Sequence, residues 1–308
     1  MNVPTAAELA AALAEDPDGL NEFAGLTSTT NATEEPAAPP SLIKCELTGH
    51  MATITLANDR RRNALSGQLL DELVSALEQL ARVRARAVVL RAAPGAVVWS
   101  AGHDIRELPR DGADPITYHD PLERALRAIR KHPAPVIAMV HGSVWGGATD
   151  LALSCDFIVA DQTAQFAITP VNLGLPYNAS GIQNFIARVG AHIARQMFFT
   201  AEPIHAEQAR ECGIINYLVD SAQLQAHTND LAERLARKAP LAIAVIKEQI
   251  RMLSEANPVS ATTFERIEGL RSQVYASSDY QEGINAFLEK RPAKFTGGKP
   301  GDPAPAEH

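Results

Sequence analysis

The sequence predicts an α/β core followed by a helical C-terminal section. Three observations carry this. Short, continuous aliphatic runs alternate with stretches of helical periodicity through the first half of the chain. From about Gly181 onward the strand signal fades, and five successive stretches carry the helical repeat. The 308 residues are 46% apolar but only 5% aromatic, enough for a full core that must be aliphatic.

In chain order, Ile43–Leu47 and Met51–Leu56 flank Thr48-Gly49-His50 and read as a hairpin. Gly67–Val83 reads as a helix with Leu69, Leu70, Leu73, Leu77 and Leu80 on one stripe and Ser66 as N-cap. Ala87–Leu90 is a buried strand. Pro121–Lys131 is a helix with Leu122, Ala125, Leu126 and Ile129 inward, and Val136–Val140 is another buried strand. A helix entered through Gly146-Gly147 includes Leu151–Leu153, and Phe157–Ala160 is again a strand. The helical stretches that close the body are Ala206–Cys212, stopped by Gly213, then Ser221–Lys238, Leu241–Glu255, Val259–Tyr275 and Tyr280–Glu289.

The ends read differently. Residues 5–14 carry a short helical pattern, residues 27–40 are a Ser/Thr/Pro/Ala-rich linker, and the tail from Pro292 is rich in Gly and Pro. The expected organisation is a flexible acidic N-terminal extension (1–40), an α/β core (41–200), a helical C-terminal region (201–291) and a flexible tail (292–308).

Charge and composition exclude several classes. The net charge is −8, yet residues 1–43 hold no Lys or Arg and seven acids, so the remaining chain is nearly neutral. A broad basic face for nucleic acid is therefore not expected. No apolar run approaches the roughly 18 residues a membrane span needs. Cys45, Cys155 and Cys212 are widely separated, and the acidic N-terminus is the opposite of a mitochondrial presequence, so a reduced, cytoplasmic protein is expected. The histidines share no ligand spacing, so no metal is expected. The phosphate loop, the dinucleotide fingerprint and the G-x-S-x-G elbow are also missing.

Three segments carry chemistry. Ser100-Ala101-Gly102-His103-Asp104-Ile105 sets small residues beside a buried strand, where a ligand can approach the backbone; it also fits an ordinary strand-to-helix turn. Gly142–Asp150 (GSVWGGATD) opens a helix with two glycines, leaving N–H groups free at its positive end, where an oxyanion would be held; tight helix–strand packing is the other reading. Phe166–Asn178 (FAITPVNLGLPYN) is stiffened by two prolines and presents Thr169 and Tyr177, or simply packs the tyrosine.

Together, these segments and their spacing resemble the crotonase superfamily, also called the enoyl-CoA hydratase/isomerase family. Asn63-Ala64-Leu65, Ser154–Ala160 (SCDFIVA) and Ile204–Val219 (IHAEQARECGIINYLV) agree with that pattern, and the resemblance covers about residues 42–291. It implies a spiral of strand–strand–helix turns with helices that build homotrimers, often paired into dimers of trimers. It further implies an acyl-CoA thioester substrate, with coenzyme A as part of the substrate and no separate cofactor. Longer stretches, among them SAGHDIRELP, TPVNLGLPYN and DYQEGINAFLEKR, resemble the branch that decarboxylates methylmalonyl-CoA to propionyl-CoA and CO2.

By that resemblance the backbone amides of His103 and Gly147 form an oxyanion hole for the thioester enolate; the His103 imidazole either touches substrate or packs. The pattern that hydrates enoyl-CoA uses two carboxylates. Here the first position is Asp150, shorter than the usual Glu, and the second is Pro170, which is neither acid nor base. Asp150 either orders a water that protonates the enolate or caps and packs its helix. Tyr177 is expected to donate to the departing carboxylate, with Thr169 nearby. Ala101, Gly102, Asp104 and Ile105 would meet the adenine side, and Arg62 and Ala64 the pantetheine entrance. Lys290 would reach phosphate, within one subunit or across a boundary. Enoyl-CoA hydration or isomerisation, and non-catalytic acyl-CoA binding, are the competing readings.

Overall fold

The computed structural model describes residues 40–111, 113–254 and 260–297. The expected helix at 5–14, the linker at 27–39 and the end of the tail lie outside the described residues. So do Glu255 and Val259, expected as helix ends.

The chain opens with an antiparallel hairpin of β1 (Ile43–Thr48) and β2 (Met51–Leu56), then α1 (Gly67–Arg82). Ser66 caps α1 as expected, its side chain accepting from the Leu69 amide. Three strand–strand–helix units follow. The first is β3 (Ala87–Ala92), β4 (Val98–Ser100) and α2 (Pro121–Lys131). The second is β5 (Val136–Val140), β6 (Ser143–Trp145) and α3 (Gly147–Ser154), and the third is β7 (Phe157–Asp161), β8 (Gln165–Ala167) and α4 (Ala179–Thr200). Each unit gives its first strand to a six-stranded sheet of order β1-β2-β3-β5-β7-β10 and its second to a four-stranded sheet of order β4-β6-β8-β9. The repeating unit is thus the expected spiral.

Two edge strands, β9 (Ile204–His205) and β10 (Tyr217–Val219), flank the short α5 (Ala206–Glu211). They fall where the sequence shows little strand signal. At two and three residues they are too short to show a period, and pairing with β8 and β7 creates them. The chain ends with α6 (Leu224–Ala236), α7 (Pro240–Ser254), α8 (Ala261–Tyr275) and α9 (Ser278–Glu289).

The aliphatic runs are explained by burial on both sheet faces. Along β3, Val88 and Leu90 join the main core beneath α1, while Ala87 and Val89 face a second cluster with Leu224, Leu231 and Ala236 of α6. Alternate residues of β5 divide in the same way. A third cluster, Leu108, Leu175, Tyr275, Tyr280 and Ile284, ties α8 and α9 to the loops of the core. The first residues of the tail are held too, contrary to expectation. The amides of Lys294 and Gly297 donate to Glu282 and Asp279, at 2.8 and 2.9 Å.

Lys247 pins α7 to the core. Its ammonium donates to the carbonyls of Ile129 and Ala134 and to Asp156 Oδ2, at 3.1, 3.2 and 2.6 Å. The same carboxylate oxygen accepts from the Val136 amide at 2.7 Å. Replacing Lys247 with Met strands a half-buried carboxylate, the Ile129 carbonyl at the end of α2 and the Ala134 carbonyl in the loop that follows. We expect a loss of about 3 kcal/mol in the unfolding free energy, read by denaturant melts.

Candidate active site

The first of the three segments leaves β4 at Ser100 and is sewn to residues 62–65. The Ala101 amide donates to the Arg62 carbonyl, Leu65 N to Gly102 O, and Asp104 N to Leu65 O. Ser100 Oγ donates to the Asn63 carbonyl at 2.6 Å, and Asn63 Nδ2 donates to Trp99 O at 3.0 Å. Gly102 has φ +83°, and a Cβ built on it would lie 2.4 Å from the Trp145 carbonyl oxygen. Only glycine lets the first segment lie against the second this closely.

The second segment turns at Gly146 (φ 53°, ψ −125°), whose amide donates to Ala167 O, and α3 starts at Gly147. A Cβ on Gly102 would stand 3.4 Å from the Gly147 nitrogen, and one on Gly147 would stand 3.8 Å from the His103 nitrogen. The amides of His103 and Gly147 therefore border one small space. Among the described residues, neither donates to a protein acceptor. The Gly147 amide also lies at the positive end of α3.

Asp150 lies three residues further along α3, about 4.5 Å along the axis. It is fully buried, yet it caps nothing. Of the expected alternative that it caps and packs its helix, the packing is present and the capping is not. Its Oδ2 accepts from the Tyr177 hydroxyl at 3.0 Å and its Oδ1 from Asn184 Nδ2 at 2.7 Å. Burial pushes the Asp150 carboxyl up, opposed first by the Asn184 hydrogen bond and then by the charge of Arg130. Burial and the adjacent carboxylate push the Tyr177 phenol well above its usual range. The ring packs against Phe198 and Phe185, at 5.2 and 6.3 Å between centroids. Asp150 and Tyr177, treated separately in the sequence, thus form one unit. With its proton directed to Asp150, the Tyr177 hydroxyl is not the free donor the sequence suggested.

The third segment delivers both Tyr177 and α4. Thr169 Oγ1 lies 3.6 Å from the Cβ position of Gly146, beside the glycine turn, and Pro170 opens a short 3-10 turn to Leu173. Asn178 caps α4, accepting from the Gly181 amide, and also donates to buried Glu123 of α2. Ser180 Oγ donates to the same carboxylate at 3.0 Å. Sequence reading missed Asn184, Glu123 and Asn178. The bonds of Asn184 to Asp150 and of Glu123 to Asn178 and Ser180 span 34 or more positions, so no local pattern announces those pairings; for Asn178 the only local signal is its place as a helix cap.

The His103 imidazole borders the site without a settled partner: its Nδ1 is buried and unbonded. Asp120, the cap of α2, is pushed up by burial, and the nearby His103 opposes that. In the segment expected to meet adenine, the amides of Ala101 and Asp104 are already used by the fold, and the Asp104 carbonyl accepts from Glu107, which leaves the Ala101 carbonyl. The Asp104 carboxylate is held low by Arg106, with Arg61 at 3.7 Å. Arg62 has a left-handed backbone (φ 52°), directly before Asn63 and Ala64. Lys290 is exposed at the end of α9, and among the described residues no hydrogen bond ties it to the three segments. Among the described residues, no three His, Cys, Asp or Glu gather as a metal site, and no helix is long and apolar enough to cross a membrane.

The motif resemblance is matched by direct comparison. Residues 46–298 match the family model for enoyl-CoA hydratase/isomerase. The chain is 50% identical over 247 residues to methylmalonyl-CoA decarboxylase of Escherichia coli K12, covering 80% of this chain and 95% of that protein. It is 32% identical over 244 residues to 2,3-dehydroadipyl-CoA hydratase of the same organism, covering 79% and 94%. The solved structure of methylmalonyl-CoA decarboxylase complexed with 2S-carboxypropyl CoA is similar, with a TM-score of 0.82 at 47% identity over 85% of this chain and 100% of that one. With a family model spanning most of its length, this chain belongs to the enoyl-CoA hydratase/isomerase family.

Proposed function

We propose that the protein decarboxylates methylmalonyl-CoA to propionyl-CoA and CO2. The observation that carries this reading is the pair of unpaired amides, His103 and Gly147, bordering one space beside a carboxyl whose two oxygens each already accept from a side-chain donor. The thioester oxygen sits between the amides. The bond from the α-carbon to the carboxylate breaks, CO2 leaves, and the electron pair moves into the thioester carbonyl as an enolate. A proton drawn from solvent then takes the place of the carboxylate on the α-carbon. The thioester is its own electron sink, so the reaction asks for no further cofactor. Each donor of such a hole is worth about 2.7–4 kcal/mol of transition-state stabilisation.

Hydration asks for more. It needs water held and activated by acid–base groups. Pro170 supplies none, and both Asp150 oxygens already accept from Tyr177 and Asn184. The 50% identity to the E. coli decarboxylase supports the same choice. Ala101, Gly102, Asp104, Ile105, Arg62 and Ala64 fit the coenzyme A side, Thr169 the acyl side, and Lys290 a phosphate. The three cysteines are free thiols, which suits the reducing cytoplasm. Leu241, Val245, Ile250 and Leu253 stand more than half exposed along α7, a face that suits burial in a homotrimer.

A panel of malonyl- and enoyl-CoA esters read by mass spectrometry tests the reaction. We expect propionyl-CoA from methylmalonyl-CoA and intact crotonyl-CoA. Hydration of crotonyl-CoA instead, or binding without turnover, overturns it. Tyr177→Phe removes the hydrogen bond to a buried carboxylate, worth about 1.5–3 kcal/mol. That predicts a fall in kcat of roughly 10- to 150-fold with little change in KM. Light scattering should give a mass of three or six chains in solution; a monomer counts against the trimer.

A further inference from the structure

The buried carboxyl of Asp150 is held by two donors, one on each oxygen. Tyr177 donates to Oδ2, the front oxygen, at 3.0 Å. Asn184, a turn and a half beyond the cap of α4, takes Oδ1 from behind at 2.7 Å, the shorter of the two bonds. Asn184 is itself well anchored. The start of α4 is tied to Glu123 of α2 through Asn178 and Ser180, so the amide reaches Asp150 from a fixed helix. An aspartate has only two side-chain torsions, and a single donor on the rear oxygen fixes the second. Asn184 is also a neutral donor, so it orients the carboxyl without cancelling its charge.

We propose that Asn184 is a positioning residue of the reaction: it holds Asp150 in the one orientation whose front oxygen accepts the Tyr177 proton, and so fixes the phenol against the acyl group. This rests on the decarboxylation proposed above. With Asn184 in place, Asp150 accepts and Tyr177 presents its lone pairs toward the acyl side. Without it, the carboxyl is free to turn. Burial, which raises its proton affinity, then acts without its largest opponent. A protonated Asp150 becomes a donor to the phenol, and the hydroxyl proton is turned toward the substrate.

The sign of the pH effect follows. Losing the Asn184 bond raises the Asp150 pKa, so the acid limb of the kcat profile moves to higher pH. Asn184→Ala should lower kcat roughly tenfold while KM for methylmalonyl-CoA stays within about twofold, because ground-state binding is untouched and the loss falls on the reacting state. Asn184→Gln, which keeps the donor, should recover part of kcat and return the limb toward wild type. Asn184→Asp, which sets a second carboxylate against the first, should move the limb further. An unmoved limb in Asn184→Ala, or Asn184→Gln no better than Asn184→Ala, overturns the proposal. Should Asn184→Ala fail to fold, the limb positions of Asn184→Gln and Asn184→Asp decide the matter in its place: equal positions overturn the proposal. Carbon-13 NMR of labelled aspartate carboxyls, with Asp150→Asn to assign the signal, reads the Asp150 titration without turnover. Wild type that releases no propionyl-CoA defeats the proposed reaction, whereas an Asp150 signal unmoved by Asn184→Ala defeats the role of Asn184.

Discussion

Two peptide N–H groups can border one space only if two chain segments approach more closely than side chains allow. In this fold that approach is made by β4 and β6, parallel neighbours in the smaller sheet whose register slips between Val98 and Ser100. Gly102 then lies where a Cβ would meet the Trp145 carbonyl at 2.4 Å. The remaining hydrogen bonds of the two turns are consumed in holding this arrangement. Arg62, Asn63 and Leu65 take up the first turn, and Ala167 takes the Gly146 amide. The amides of His103 and Gly147 are what remains after the backbone has satisfied its other needs. A buried N–H without an acceptor is costly, so the pair suits the role proposed for it of meeting developing negative charge.

A second constraint is the burial of α3. All eight of its residues are buried, so Asp150 must find its donors inside the protein. An isolated buried carboxylate would take up a proton. Tyr177, Asn184 and the more distant charge of Arg130 oppose that without a direct ion pair. The packing of α4 against α3 is thus also the electrostatics of the site: the helix that closes the core brings Asn184, and the loop before it brings Tyr177. The Glu123 tie to Asn178 and Ser180 fixes where that helix begins.

The central strands of the larger sheet are legible because β3, β5 and β7 are buried on both faces and read as unbroken aliphatic runs. Val136–Val140 and Pro121–Lys131 have the bounds that their apolar patterns predict. The smaller sheet was not legible. Val98–Ser100, Ser143–Trp145 and Gln165–Ala167 are three residues each, too short for a period, and pairing across turns of the spiral defines them. The same contrast holds at the site. Glycine turns announce themselves by composition, so residues 102, 146 and 147 stood out. The bond between Asp150 and Tyr177 spans 27 positions, and the one to Asn184 spans 34. Nothing in a linear pattern distinguishes Asn184 from any polar residue on a helix.

The reactions of such a site are separated by what surrounds the amides. An enolate can be reached by removing a proton, by adding water to a double bond or by losing CO2, and the hole serves all three. The first two need a base or a held water beside the α- or β-carbon. Here the expected second acid is Pro170, locked into a 3-10 turn, and the remaining carboxyl is occupied front and back. Loss of CO2 needs neither group. It needs the leaving carboxylate to be poorly solvated, and the wall behind Tyr177 is Phe185 and Phe198. The Asp at position 150 works in the same direction: its carboxyl ends within reach of Tyr177 and Asn184, which engage one oxygen each. In the proposed reaction, the choice of chemistry thus follows from which acid–base groups stand around the two amides.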